Sequence, residues 1–144
     1  MAHRLECGGE LPFMYNVSNK VGDTTDSVNE RGDVELVNYL LDKVVCPKMH
    51  TKATEAKIIV NGNFTACTGY WIFALQQARH MQVDKTVKVD GIISPAKYYN
   101  SRIWTIALLN NQLYKVDRNA FMNLPNNPFL SATLKSQLSG TRII

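Results

Sequence analysis

Apolar and polar positions follow each other along this chain with helical rather than strand spacing, most clearly in three stretches. Between Asn29 and Val44, the residues Val34, Val37, Leu41 and Val44 recur every three or four positions with Leu40 beside them, which predicts a helix with one buried face. Asn29 can cap that helix, Glu30 and Asp33 suit the positive end of its dipole, and Pro47 stops it. From Ala66 to about Met81, Trp71, Ile72, Leu75 and Ala78 form an inner stripe flanked by Tyr70 and Phe73, the mark of a second helix. The third predicted helix runs from Pro95 to about Asn110, with Tyr99, Ile103, Ile106 and Ala107 inward and Trp104 and Leu108 close behind.

A tight turn precedes the second and third of these helices. Asn61-Gly62 leads through Phe64 to Thr65, and Asp90-Gly91 leads through Ile93 to Ser94-Pro95. Asn and Asp bond their own backbone a residue or two on, and Gly accepts a positive φ without steric cost, so each pair predicts a turn. Thr65 and Ser94 can each cap the next helix, and Pro95 suits a first helical position. A turn-cap-helix unit repeated in one register is better explained by shared architecture than by two unrelated surface turns.

The ends of the chain obey other rules. Residues 1–16 are broken by Gly8-Gly9 and Pro12 and predict an arm or edge strand, with an extended stretch at Tyr15-Asn16-Val17-Ser18. Lys20 to Ser27 is a polar loop. Beyond residue 110, Leu113 to Val116 suits a short strand, Leu124-Pro125-Asn126-Asn127-Pro128 is irregular, and Leu130 to Leu138 supports a short helix. Phe121, Phe129 and Leu130 on such an arm want another surface, with Arg118, Lys135 and Arg142 alongside as charged partner contacts. The expected organisation is an N-terminal arm (1–16), a mainly α three-helix domain (17–110) and a C-terminal arm (111–144).

Composition narrows the classes. The 144 residues are 45% hydrophobic and 19% charged, as in one soluble globular domain. No apolar run is long enough to span a bilayer, and the first residues do not form a secretory signal, so synthesis in a cytoplasm with release by lysis or assembly is expected. Cys7, Cys46 and Cys67 are odd in number and lack CxxC spacing, which argues for reduced thiols over disulfides or zinc; Cys46 and His50 leave a metal a remote option. The formal net charge is +4, and the basic residues beyond position 110 are scattered rather than blocked, which speaks against nucleic acid as a partner.

One family resembles this pattern. Val28-Asn29-Glu30-Arg31-Gly32-Asp33-Val34-Glu35-Leu36-Val37-Asn38-Tyr39-Leu40-Leu41 is similar to the first helix of bacterial and phage peptidoglycan-binding-like domains, and Lys20-Val21-Gly22 to the Val-Gly that precedes it. Asn61-Gly62-Asn63-Phe64-Thr65-Ala66-Cys67-Thr68 resembles the family's Asp-Gly-x-Phe-Gly-Pro-x-Thr, Leu75-Gln76 its apolar-Gln pair, and Val89-Asp90-Gly91-Ile92-Ile93-Ser94-Pro95 its second turn. The likeness covers roughly residues 17–110. Asn61, Thr65-Ala66, Asn38 and Lys97 depart from the pattern and fit its scaffold better than its sugar groove.

The resemblance implies a small helical bundle. No GxSxG, HExxH or P-loop motif is present, so an enzyme is not expected and no cofactor is implied. Two functions are compatible with it, of which the first is the expected one and the second the alternative. The first is a structural or adaptor subunit of a phage-type virion or contractile assembly, present in many copies, whose arms bind neighbouring subunits. The second is a peptidoglycan-binding module that holds glycan or stem peptide with Asn61, Asp90, Tyr70, Tyr98 and Tyr99, although these aromatics also suit a bundle interior.

Overall fold

The structure is a computed structural model and describes residues 1–7, 9, 11–47 and 58–139. The polar stretch containing His50, and Arg142, lie outside the described residues. Two strands, β1 (His3–Glu6) and β2 (Phe13–Asn16), pair antiparallel with His3 opposite Asn16 and Glu6 opposite Phe13. Then come α1 (Arg31–Leu40), α2 (Ala66–Gln82), α3 (Thr105–Val116), α4 (Arg118–Met122) and α5 (Ala132–Ser139). Among the described residues this makes a mainly α protein with one small hairpin. No described helix is long and apolar enough to cross a membrane.

The core is organised around α1. Its periodicity predicts one buried face, yet all of residues 32–40 are buried, Asp33, Glu35 and Asn38 included. A polar side chain tolerates burial only where its hydrogen bonds are met, and here a different segment meets each one. Asp33 Oδ1 and Oδ2 accept the N–H groups of Ser18 and Asn19 at 3.2 and 3.0 Å. Glu35 accepts the N–H and hydroxyl of Ser131 at 2.7 and 2.6 Å. Asn38 holds the backbone around Asn61. The helix thus carries its polar contacts to three chain-distant segments and its apolar ones to the core. Its last turn widens into π geometry at Leu41–Val45. The cap is Glu30, whose carboxylate accepts from the N–H groups of Gly32 and Asp33. Asn29, the expected cap, instead takes a φ of 52° and pairs its side chain with both backbone groups of Gly22.

The described residues of both terminal segments belong to this same core, which corrects the expectation of two extended arms. Every residue of β2 is buried. Phe121, Leu124, Leu130, Leu134 and Leu138 are all buried, each gaining roughly 1.5–3 kcal/mol of transfer free energy. Phe121 stacks on Phe13 with ring centroids 5.2 Å apart and meets Tyr15 and Tyr114 at 5.1 and 5.3 Å. The Tyr15 hydroxyl donates to the Phe121 carbonyl at 2.6 Å. Arg118 lies over the Tyr114 ring at 4.5 Å, and Ala2 N–H donates to Gln137 Oε1 at 3.2 Å. These apolar side chains find partners within their own chain because the two ends meet. Phe129 differs, being 86% exposed. The boundary expected at residue 110 falls inside α3, and Leu113 to Val116, expected as a strand, form its last turn.

The third helix is also displaced. It begins at Thr105 rather than Pro95, and Ser94 caps nothing. Ile93 exchanges both backbone hydrogen bonds with Val21, at 2.8 and 3.0 Å. Ala96 gives its N–H to Asn16 Oδ1 at 3.0 Å and takes Asn16 Nδ2 on its carbonyl at 2.8 Å. Backbone groups engaged in this way cannot close a helical turn, so the favourable Ser-Pro start is overridden by tertiary bonding. Ile103, expected inward, is 56% exposed as a consequence.

Candidate functional site

Two turns, and the helices that hold them, position two of the candidate residues. Asn38 Nδ2 donates to the carbonyls of Asn61 and Asn63 at 2.9 and 3.3 Å, while its Oδ1 accepts the Thr68 hydroxyl at 2.8 Å. Gln76 does the same for the second turn. Its Nε2 donates to Asp90 Oδ1, the Ile92 carbonyl and Thr105 Oγ1 at 3.2, 3.0 and 3.0 Å, and its Oε1 accepts Gly91 N–H at 2.8 Å. Each turn is therefore held from inside by one buried carboxamide.

The two glycines serve different needs. Gly91 has a φ of 73°, the left-handed region that disfavours any Cβ. Gly62 is not at positive φ; a Cβ there would meet the Arg31 carbonyl oxygen at 2.9 Å, so glycine lets the turn lie against the start of α1.

Beside the second turn and the start of α2 lies a groove of about 550 Å³. Tyr70 and Phe73 of α2, each 46% exposed, line it together with Phe64, Asp23 and Asp90. Thr65 caps α2 here, exchanging bonds with Thr68 in a capping box, and Gly69 lets the Phe64 ring approach to 3.3 Å of where a Cβ would sit. Asp90 Oδ1 is engaged by Gln76 and by Ile92 N–H, leaving Oδ2 without a protein donor among the described residues. Flat aromatic faces beside carboxylate acceptors suit a ligand with apolar faces and hydroxyl or amide edges.

The groove unites two of the five residues expected to bind wall, Tyr70 and Asp90. Asn61 lines a separate depression of about 630 Å³ with Glu30, Arg31 and Phe129, and its Oδ1 accepts Asn63 N–H within its own turn. Tyr98 packs edge-on against Trp104 at 5.8 Å, and Tyr99 lines a further depression with Arg79 and Lys115. Of the residues expected on a partner-binding arm, Phe121 and Leu130 are buried, Arg118 covers Tyr114, Lys135 is half-buried on α5, and Phe129 is exposed.

Asp23 gives no sign of a ligand role in the sequence, because an acid in a polar loop reads as solvated. Phe73 carries a signal: it lies three residues after Tyr70, on the same side of α2. Gln76 carries one as well, a polar residue inside the apolar stripe.

A smaller depression of about 260 Å³ adjoins the groove across Asp90, at the start of α3. Arg79, Lys88, Arg102, Trp104 and Thr105 line it. Trp104 Nε1 and Arg79 Nε are closed off from solvent with no protein acceptor among the described residues, an arrangement that costs about 1–3 kcal/mol per donor.

Burial pushes the Cys7 thiol up and the Cys46 thiol up to about 11, the opposite of what an activated nucleophile needs. Among the described residues no group of three or more His, Cys, Asp or Glu could hold a metal ion. No protein-family model, curated protein or solved structure matches the chain.

Proposed function

We propose that this chain is a non-catalytic binding protein of peptidoglycan-binding type, whose groove between α2 and the second Asx-Gly turn holds a segment of cell-wall glycan. The observation that carries this reading is that Tyr70 and Phe73 share the lining of one open groove with Asp23 and Asp90. Sugar rings present flat C–H faces that pack on aromatic rings, and their hydroxyl and amide edges donate to carboxylates. The order of elements also supports it: a helix, an Asx-Gly turn, a capped second helix and a second Asx-Gly turn follow the order of the motifs that resemble the family in the sequence. The test is retention of the purified chain on insoluble peptidoglycan sacculi at two salt concentrations, beside a charge-matched control. Salt-resistant retention that drops at least about ten-fold in Tyr70→Ala/Phe73→Ala supports the reading. Retention no better than the control removes it.

A second reading has one observation in its favour. Phe129, 86% exposed beside the depression that contains Asn61, Val60 and Leu130, suits contact with another protein. This is the structural-subunit function, in a phage-type particle with many copies. One motive for it has gone, because the segments expected to need neighbours are packed internally. Loss of assembly in Phe129→Asp, with sacculus binding absent in the parent chain, would move this reading to first place.

A further inference from the structure

We infer that the depression at the start of α3 is a binding site for an oxyanion, a phosphate or carboxylate group presented by a small ligand. Its lining carries three cationic side chains, Arg79, Lys88 and Arg102, against one acid, Asp90. Asp90 is partly committed already, since its Oδ1 accepts from Gln76 and Ile92. Asp84 draws Arg102 only loosely, with Nε and Oδ2 3.9 Å apart and the Arg102 side chain 79% exposed, so water screens that pair and it competes weakly for the guanidinium.

Two donors without acceptors lie in residues that line this depression. Trp104 Nε1 and Arg79 Nε have no protein acceptor among the described residues. Thr105 Oγ1 accepts from Gln76 Nε2 and keeps its own hydrogen to donate. The twelve-residue helix α3 opens behind Trp104 with no side-chain cap, whereas α2 has Thr65. Its first N–H groups add partial positive charge on the same side. Basic side chains and an uncapped helix start border about 260 Å³, room for an anionic group, and the Trp104 and Arg79 donors without acceptors sit behind that lining.

This site does not depend on the saccharide reading, and its residues differ from the aromatic pair that tests that reading. The chain holds two tryptophans, Trp71 and Trp104, so its indole N–H groups can be followed separately in a ¹⁵N-labelled full chain and assigned with Trp104→Phe. Inorganic phosphate, titrated against sodium chloride at constant ionic strength, is expected to move the Trp104 indole resonance saturably and leave that of Trp71 in place. Acetate in a parallel titration distinguishes the two chemistries: the lower saturating concentration identifies phosphate or carboxylate as the favoured group. Lys88 and Arg102 are exposed, so Lys88→Ala/Arg102→Ala should fold and bind at least about ten-fold more weakly. A Trp104 response that is absent, does not saturate, matches that of chloride, or survives the double substitution overturns the inference.

Discussion

The Asn61-Gly62 and Asp90-Gly91 turns look like copies in the sequence, and in the structure they share one device but lead into different elements. Each is held by a carboxamide buried in the preceding helix, Asn38 for the first and Gln76 for the second. After the first turn the chain enters α2 at once, under a Thr65 cap. After the second it stays extended, bound to Val21 and Asn16, and reaches α3 only at Thr105 without a side-chain cap. An Asx-Gly turn therefore specifies a backbone for an internal amide to hold. The next element is decided by which other segment engages the backbone beyond it.

If the internal amide is the shared device, its removal should be the costliest change. Gln76→Ala strips the two N–H donors that Nε2 shares among three acceptors, and one accepted bond, from a side chain only 3% exposed, and is expected to cost about 3–4 kcal/mol in urea unfolding. Hydrogen exchange should quicken first at Gly91; a loss under about 1 kcal/mol would falsify the shared role. Asn38→Ala removes three bonds and should cost about 2–3 kcal/mol, with faster exchange concentrated near Thr68 and Asn63 rather than at the second turn.

The glycines separate the two turns more finely. Gly62→Ala forces a Cβ toward the Arg31 backbone and should cost about 2 kcal/mol. Gly91→Ala meets open space but keeps its left-handed φ, for about 1 kcal/mol. Equal melting shifts for the two variants would mean that the turns use glycine for one reason rather than two. The smallest effect is expected at the cap: Thr65→Ala should cost about 1 kcal/mol, and Ser94→Ala next to nothing, since Ser94 caps no helix. A Ser94→Ala loss as large as that of Thr65→Ala, read by thermal unfolding, would restore the equivalence that the structure breaks.

Much of the helical part was legible because its signals are local. Thr65 before a helical stripe, the apolar spacing from Val34 to Val44, and the Asx-Gly pairs all act within a few residues of where they appear. The features that escape a sequence reading depend on distant partners. Nothing near Ser94-Pro95 reveals that Asn16 will occupy the Ala96 backbone, and nothing near Phe121 reveals that Phe13 and Tyr15 will surround it. The groove was half legible for the same reason. Tyr70 and Asp90 stand out by residue type and place, while Asp23 joins them only because the Val21–Ile93 pairing brings its loop beside the second turn.

The hydrogen bond between Ala2 and Gln137 sets an order of events in synthesis. The hairpin leaves the ribosome early, yet its aromatic face is covered by Phe121 and its first residues by the α5 side chain of Gln137. Until those late residues emerge, Phe13 and Tyr15 have no stable cover, and α1 lacks the Ser131 partner for buried Glu35. The bonds that close this core, Ala2 to Gln137, Tyr15 to Phe121 and Ser131 to Glu35, are long loop closures, which slow folding relative to what helical content alone suggests. A nascent chain stopped before α4 would expose the β2 aromatics to whatever chaperone waits at the exit.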